Sequence, residues 1–253
     1  MSAQPRRVLS LCTSATDTMV RLGLTDRLAG MDEYSAIVPG ASQAPVLGKG
    51  SALSREQVLA RRIDLAFVWW FQDDAAKLLE ELGVPVVRLR CGRATEVPET
   101  LRLIGQCLNA GQEAEILART VEDQLASLVY TSNPVRPGVY LELYSPFKTS
   151  GRESYLNDLI ELAGGRNIAS GAAGAVLLSS EQLLAADPQQ VILLAGFGTP
   201  EQFARRAGLD KLSAVKEGRI QVLDRYYLVA GAGLPEGVAA LHRLLNSTAP
   251  NKP

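Results

Sequence analysis

The order of the predicted elements constrains the fold more than any other feature of this sequence. Short apolar runs rich in Val, Ile and Leu, typical of buried strands, alternate with segments of helical periodicity. The predicted strands are residues 7–11, 28–31, 63–70 and 84–89 in the first half, and 138–143, 191–194 and 220–223 in the second. The predicted helices are residues 16–22, 55–61, 73–82, a segment beginning at Pro98, 153–163, 200–207 and 235–245, and the Pro-, Gly- and Ser-rich residues 39–51 are a predicted loop. This alternation indicates parallel sheets covered by helices, so we predict an α/β fold.

A helix-forming segment separates the two halves. From Gln112 to about Val129 the chain is rich in Ala, Glu, Gln, Leu and Arg, which are good helix formers. Such a helix would be roughly 27 Å long, enough to cross a small domain. We therefore predict an N-terminal α/β lobe at residues 1–111, a linking helix at residues 112–131 and a C-terminal α/β lobe at residues 132–253.

Composition excludes some functions. The chain has 26 Lys and Arg against 27 Asp and Glu, so the basic excess expected of a nucleic-acid-binding protein is absent. No run of about 18 apolar residues exists that could span a membrane.

No signal peptide is visible before the first strand, so either a signal was removed and Met1 added, or the protein stays in the cytosol. The odd number of cysteines (Cys12, Cys91 and Cys107) and their spacing favour buried free thiols over disulfides or a zinc site.

The sequence offers few combinations of residues that could act together in catalysis, so we predict that the protein is not an enzyme and has no cofactor. The single histidine, His242, lies in the amphipathic C-terminal helix, where a surface or edge position is expected. Neither a phosphate-binding P-loop nor a dinucleotide-binding glycine motif is present. An enzyme on this scaffold would need an acid–base pair. Its only candidates are Asp224 with Arg225, or Glu153, and neither comes with a nucleophile or a metal cluster.

Aromatic residues follow several of the predicted strands. They are Tyr34, Trp69, Trp70, Phe71, Tyr144, Phe147, Tyr155, Tyr226 and Tyr227. In parallel α/β sheets ligands bind beyond the carboxyl ends of the strands, and flat rings suit a large flat ligand. The alternative is that some of these rings cap the core or pack one lobe against the other.

A short pattern occurs once in each half. Glu56-Gln57 and Glu181-Gln182 each begin a short predicted helix just before a core strand, and Ser54 is a predicted helix N-cap. A glutamate in the first turn also complements the helix dipole, which would explain each one alone. The sequence leaves open whether the two share a functional role.

Four stretches resemble the substrate-binding proteins of ABC importers for cobalamin, iron siderophores and haem, and the cobalamin-binding members most closely. They are residues 7–35, residues 53–69, residues 145–168 with Ser145-Pro146-Phe147-Lys148-Thr149-Ser150-Gly151, and residues 178–184. The resemblance covers nearly the whole chain. It implies two Rossmann-like lobes bridged by a single long α-helix, with the ligand in the cleft between the lobes.

The resemblance also implies roles for individual residues. Glu56 and Glu181 match the glutamates that dock onto arginines of the transmembrane permease. Tyr34, Trp69 and Phe147 match aromatic residues that sandwich the corrin ring, and Asp224 matches an acidic residue near the ligand. We add their neighbours Trp70, Arg225 and Tyr226 to the predicted ligand contacts.

The same comparison shows departures. Two tryptophans of the cobalamin-binding members are absent, near Lys49-Gly50 and near Val176. The tyrosine ligand of haem-binding members, also expected near Lys49, is absent too. Arg152 and Arg225 are candidates for a siderophore pocket.

The sequence therefore predicts a monomeric substrate-binding protein of an ABC importer, which binds cobalamin or a related corrinoid and delivers it to a permease with its ATPase. The alternatives are an iron-siderophore or haem binding protein of the same fold, or a cytosolic corrinoid-binding protein without a permease. The expected location is the periplasm or cell envelope by resemblance, or the cytoplasm if Met1 is the native start.

Overall fold

The computed structural model describes residues 4–41, 43–49, 52–128 and 136–247. The chain divides into two compact units. Unit 1 contains the described residues up to Cys91, then Thr95–Asp123 and Val229–Gly233; unit 2 contains Gly92–Ala94, Gln124–Leu228 and the described residues from Leu234 onward. Each unit is built around its own largely parallel sheet, so the predicted α/β class is confirmed. The expected domain boundaries stay a prediction.

Unit 1 contains a six-stranded sheet. Its strands are β1 (Val8–Ser10), β2 (Leu28–Asp32), β3 (Val46–Lys49), β4 (Ala52–Leu53), β5 (Leu65–Trp69) and β6 (Val86–Leu89). They lie in the order β4-β3-β2-β1-β5-β6, and all neighbours are parallel except the antiparallel pair β3 and β4. The central strands consist almost entirely of buried apolar residues, as expected for a sheet covered on both faces.

Capping residues in the sequence mark one end of some of the helices of unit 1. They are α1 (Thr13–Arg21), α2 (Arg55–Ala60), α3 (Asp73–Glu81), α4 (Val97–Cys107) and α5 (Gly111–Ser127), with 3₁₀ turns at Thr25–Arg27 and Ser35–Ile37. The Ser54 side chain accepts a hydrogen bond from the Gln57 N–H at 3.4 Å, which confirms it as the N-cap of α2. Gly83 follows α3 with φ +74°, a conformation that favours glycine. Helix α5 belongs to unit 1 up to Asp123 and to unit 2 from Gln124.

Unit 2 contains a four-stranded parallel sheet and a separate two-stranded antiparallel pair. Its strands are β7 (Gly138–Glu142), β8 (Lys148–Ser150), β9 (Arg166–Asn167), β10 (Ala175–Leu177), β11 (Gln190–Leu194) and β12 (Ile220–Leu223). The parallel sheet has the order β12-β11-β7-β9, and β8 pairs with β10. The helices are α6 (Tyr155–Leu162), α7 (Ser180–Ala186), α8 (Pro200–Ala204), α9 (Ser213–Lys216) and α10 (Leu234–Leu245), with 3₁₀ turns at Leu209–Lys211 and Arg225–Leu228. A further 3₁₀ turn, Ala94–Glu96, begins in unit 2 and ends in unit 1.

The two sheets share one strand order. The run β2-β1-β5-β6 in unit 1 corresponds to the run β9-β7-β11-β12 in unit 2, and all of these strands are parallel. In each unit a short helix, α2 or α7, comes just before the third strand of that run, β5 or β11. This correspondence explains why the sequence repeats the same order of elements.

Several predicted elements need correction. The predicted loop at residues 39–51 is wrong in part, because it contains β3. At Gly48 an added Cβ would lie 2.3 Å from the backbone oxygen of Ala52, so the glycine that suggested a loop instead permits close pairing of β3 with β4. The strands β8, β9 and β10 have only two or three residues each, too few for a periodic signal. The predicted linking helix ends at Ser127, and residues 129–131 lie outside the described residues.

Candidate functional site

The carboxyl ends of β2, β1, β5 and β6 form one edge of the unit 1 sheet, since these strands are parallel. Tyr34 lies two residues after β2 and Trp70 directly after β5, and both rings are exposed to solvent. Trp69, the last residue of β5, is half-buried. The backbone N–H of Trp69 donates a hydrogen bond to the side-chain oxygen of the buried Gln72 at 2.8 Å. This bond fixes the turn that carries the aromatic residues. This edge brings together the ligand contacts predicted in the first half of the chain.

An arginine that the sequence did not single out also lies on this edge. Arg90 follows β6, and its guanidinium carbon is 5.4 Å from the centre of the Trp70 ring. Phe71 packs edge-on against the same indole, with ring centres 5.7 Å apart. A cation over an aromatic face is attracted by the quadrupole of the ring. The edge therefore presents a large exposed aromatic surface with one positive charge beside it.

A buried carboxylate shapes the chain around Tyr34. Asp32, the last residue of β2, is almost completely buried and accepts a hydrogen bond from the Ser35 N–H at 2.8 Å. Burial raises the pKa of this carboxyl above its ordinary value, although the hydrogen bonds from Ser35 oppose the shift. The bond fixes the 3₁₀ turn just after Tyr34 and so restricts the position of that residue.

Unit 2 has a corresponding edge, at the carboxyl ends of β7, β11 and β12. Three side chains follow these adjacent strands and form a continuous row. The Tyr144 and Phe197 rings meet edge to face with centres 5.2 Å apart, and the guanidinium carbon of Arg225 lies 5.4 Å from the centre of the Phe197 ring. The pair of Arg225 and Phe197 repeats the arrangement of Arg90 and Trp70 at the corresponding strands of unit 1. Both Tyr144 and Phe197 are exposed.

Phe147 lies in the connection between β7 and β8, where the buried Glu142 and the half-buried Arg206 contact it. Its N–H donates to the carboxylate of Glu142 at 2.9 Å, and the guanidinium carbon of Arg206 is 5.5 Å from its ring centre. The backbone of Phe147 has φ +64°, which a bulky residue rarely adopts.

The remaining predicted contacts in unit 2 follow β12. Asp224 is exposed, and its carboxylate accepts a hydrogen bond from the Tyr226 N–H at 2.9 Å, so it also caps the 3₁₀ turn Arg225–Leu228. Arg225 and Tyr226 are half-buried. The Tyr155 hydroxyl donates to the Leu228 oxygen at 2.8 Å and anchors the end of the same turn. Asp224 therefore has a structural role whether or not it contacts a ligand.

The two glutamates predicted to dock a permease occupy the same position in corresponding helices. Glu56 in α2 and Glu181 in α7 are both exposed second residues of their helices. A third helix, α8, begins with the same pattern, in which Thr199 is the N-cap and Glu201 the second residue. Capping thus explains the sequence pattern by itself. The docking role of Glu56 and Glu181 stays a prediction that depends on the resemblance.

Two of the three cysteines, Cys12 and Cys91, each lie two residues after a strand of the unit 1 sheet, β1 and β6 respectively. All three cysteines are free, but only Cys12 is fully buried, which raises the pKa of its thiol; Cys91 and Cys107 are half-buried, so the prediction of buried thiols is wrong for these two. The Nδ1 atom of His242 lies 2.9 Å from the backbone oxygen of Ala163, within unit 2. Among residues 4–41, 43–49, 52–128 and 136–247, no group of three or more His, Cys, Asp or Glu side chains is arranged to hold a metal ion.

Four residues of these edges were not identified from the sequence as site residues, namely Arg90, Glu142, Phe197 and Arg206. Glu142 and Arg206 are paired across a long stretch of the chain, so no local signal marks them. Arg90 and Phe197 do follow predicted strands, so their positions offered a signal that the sequence analysis did not use.

Comparison with known proteins identifies the family. A family model described as "Periplasmic binding protein" matches residues 8–227. The chain belongs to this family. Within the described part of the chain, none of the helices has the length and hydrophobicity needed to cross a membrane.

Individual relatives agree with this assignment. The chain is 22% identical over 251 residues to the uncharacterized ABC transporter substrate-binding lipoprotein YvrC of Bacillus subtilis. The aligned region covers 94% of this chain and 79% of that protein. It is 25% identical over 210 residues to the vitamin B12-binding protein of Pectobacterium carotovorum, covering 80% and 75% of the two chains. A solved structure, the periplasmic heme binding protein of Pseudomonas aeruginosa, is 28% identical with a TM-score of 0.85, covering 98% of this chain and 95% of that one.

Proposed function

We propose that this protein is the substrate-binding protein of an ABC importer and that it binds cobalamin or a related corrinoid. One observation carries the proposal. Both parallel sheets present exposed aromatic rings with an arginine beside them at their carboxyl edges, where ligands of such sheets bind. The similarity to a vitamin B12-binding protein supports a corrinoid as the ligand.

The chemistry of the two edges suits a large flat chelate. Exposed aromatic surface is costly to keep in water, and a contiguous patch of it commonly marks a binding site. The indole of Trp70 and the rings of Tyr34, Tyr144 and Phe197 offer flat apolar faces, while Arg90 and Arg225 offer donors for polar substituents. We assign Trp69, Phe147, Asp224 and Tyr226 to the same ligand contacts.

Delivery to a permease with its ATPase is the second part of the proposal. Glu56 and Glu181 are exposed and occupy equivalent positions in the two units, so each unit offers one carboxylate to positively charged groups of a partner. Rim charges of this kind mainly set the register and rate of docking. A protein with this role acts in the cell envelope and carries out no chemical reaction on its ligand.

Haem is the second candidate ligand, because the two arginines favour it. Arg90 and Arg225 follow corresponding strands of the two sheets, and each stacks on an exposed aromatic ring at 5.4 Å. Guanidinium groups bind carboxylates through paired hydrogen bonds, and haem carries two carboxylates where a corrinoid carries mainly amides. The similarity to a heme binding protein of known structure points the same way.

Calorimetric titration with cyanocobalamin, cobinamide, haemin and a ferric siderophore tests the proposal. Tight one-to-one binding of a corrinoid is the expected result. Binding of haemin or the siderophore alone would keep the transport role and discard the corrinoid. Because the only two tryptophans, Trp69 and Trp70, are both on the unit 1 edge, quenching of their fluorescence by the bound chelate provides an independent readout. No binding of any of the four compounds would contradict the proposal.

A further inference from the structure

Phe147 adopts a backbone conformation that needs support from its surroundings. Its φ of +64° lies in the left-handed region, and the residue is neither glycine nor one of the short polar residues that enter this region readily. Such conformations persist only where the surrounding structure enforces them, and they are concentrated at functional sites. The contacts around Phe147 show what enforces the conformation here.

The carboxylate of Glu142 is the centre of these contacts. Glu142 is only 5% exposed and is the last residue of β7, the first strand of the unit 2 sheet. Its Oε2 atom accepts hydrogen bonds from the Phe147 N–H at 2.9 Å and from the Tyr140 hydroxyl at 3.0 Å. The hydroxyl thus helps to satisfy a charge that would otherwise be costly to bury.

Arg206 completes the cluster with two hydrogen bonds to the same carboxylate. Its Nη1 atom is 2.5 Å from Oε2 of Glu142 and its Nη2 atom is 2.7 Å from Oε1, a bidentate arrangement. The guanidinium carbon also lies 4.9 Å from the centre of the Phe203 ring and 5.5 Å from that of the Phe147 ring. The arginine therefore contacts the ring of Phe147, while the glutamate it pairs with holds the backbone of Phe147.

We infer that Glu142 and Arg206 are positioning residues for the ligand, which act by holding Phe147 in its left-handed conformation with its ring presented to the chelate. The inference rests on the proposed function, in which Phe147 contacts the ligand. It adds that the ion pair between the buried Glu142 and the half-buried Arg206 determines affinity through one aromatic side chain and needs no ligand contact of its own.

A ligand-independent measurement tests the first half of the inference. The Phe147 amide is expected to be protected from hydrogen exchange in the wild-type protein, since this N–H donates to a buried carboxylate. In Glu142→Gln the bidentate pairing is lost, and the amide is expected to exchange at least about tenfold faster while amides of β11 stay protected. Unchanged exchange at Phe147 would overturn the inference even if no ligand were known.

A double-mutant cycle tests the second half. With cyanocobalamin or haemin, whichever the wild-type protein binds, Glu142→Gln is expected to weaken binding about tenfold. In a Phe147→Ala background the same substitution is expected to have no further effect on affinity, because Glu142 acts through the Phe147 ring. A loss of affinity that persists without the ring would contradict the inference.

Two further variants separate positioning from general stability. Glu142→Gln combined with Arg206→Gln leaves no unpaired buried charge, so it keeps the test valid if the single variant folds poorly. Glu161→Gln breaks another ion pair of unit 2, with Arg136, which does not touch Phe147. This control is expected to lower the melting temperature without changing affinity. Weakening of binding by Glu161→Gln to the same extent would mean that stability alone explains the result.

Failure of the wild-type protein to bind either probe would count against the proposed function. The exchange experiment would still decide whether Glu142 and Arg206 position Phe147.

Discussion

Replacement of Trp70 by alanine is expected to weaken binding of the chelate about 18-fold. A tryptophan side chain can bury up to about 250 Å², and Trp70 is 55% exposed in the absence of ligand. A flat ligand covers one face of the indole, about half of the exposed area, which is roughly 70 Å². At about 25 cal/mol per Å² this burial contributes about 1.7 kcal/mol, equivalent to about 18-fold in Kd.

Calorimetry on the purified variant measures this loss directly. Because Trp70 is exposed and lies outside the buried core of unit 1, the variant is expected to melt within a few degrees of the wild-type protein. Ile116→Ala is the matched control, since Ile116 is an apolar residue in the helix α5 that is 68% exposed and does not follow a strand. A change in Kd of less than twofold for Trp70→Ala would refute the assignment of the unit 1 edge as a ligand surface.

Three other predictions follow from the described contacts. Alanine at both Glu56 and Glu181 is expected to leave calorimetric affinity unchanged and to abolish uptake in a reconstituted transporter; loss of ligand binding would contradict the docking role. Asp17→Ala is expected to destabilise the protein by about 1–2 kcal/mol in denaturant unfolding, because it removes the buried carboxylate that accepts a hydrogen bond from the Gly233 N–H at 3.2 Å. Hydrogen bonds from Arg102 and Arg119 lower the pKa of Glu115 to about 2. The stabilisation from these ion pairs is therefore fully present above the ordinary glutamate pKa of 4.5 and is lost as the pH falls toward 2. The free energy of unfolding of Glu115→Gln is therefore expected to fall less than that of the wild-type protein across this range, and equal acid sensitivity would argue against the ion pairs.

The sequence predicted the repeated α/β order because the core strands carry long apolar runs. Residues 63–70 and 191–194 were identified as strands, and the structure has β5 and β11 there. The short strand β3 was missed because it lies in a segment rich in Pro, Gly and Ser, a composition typical of loops. One of these glycines, Gly48, in fact permits β3 to pair closely with β4. Local composition indicates which segments are buried, but it does not indicate which short segments pair with one another as strands.

The sequence identified aromatic residues that lie at or shortly after the end of a predicted strand, such as Tyr34 and Trp70. Arg90 also follows a predicted strand, but its contact with Trp70 could not be predicted, because it requires β6 to lie beside β5. The pairing of Glu142 with Arg206 joins residues 64 positions apart, and neither has a neighbour in sequence that indicates it.

The central claim is that the aromatic residues at the carboxyl edges of the two sheets contact the chelate that the protein binds. Calorimetric titration of the wild-type protein, Trp70→Ala and Phe147→Ala with cyanocobalamin, or with haemin if that is the ligand, tests it most directly. We expect both variants to bind the chelate more weakly than the wild-type protein does. An affinity that either substitution leaves unchanged would contradict the claim for that edge.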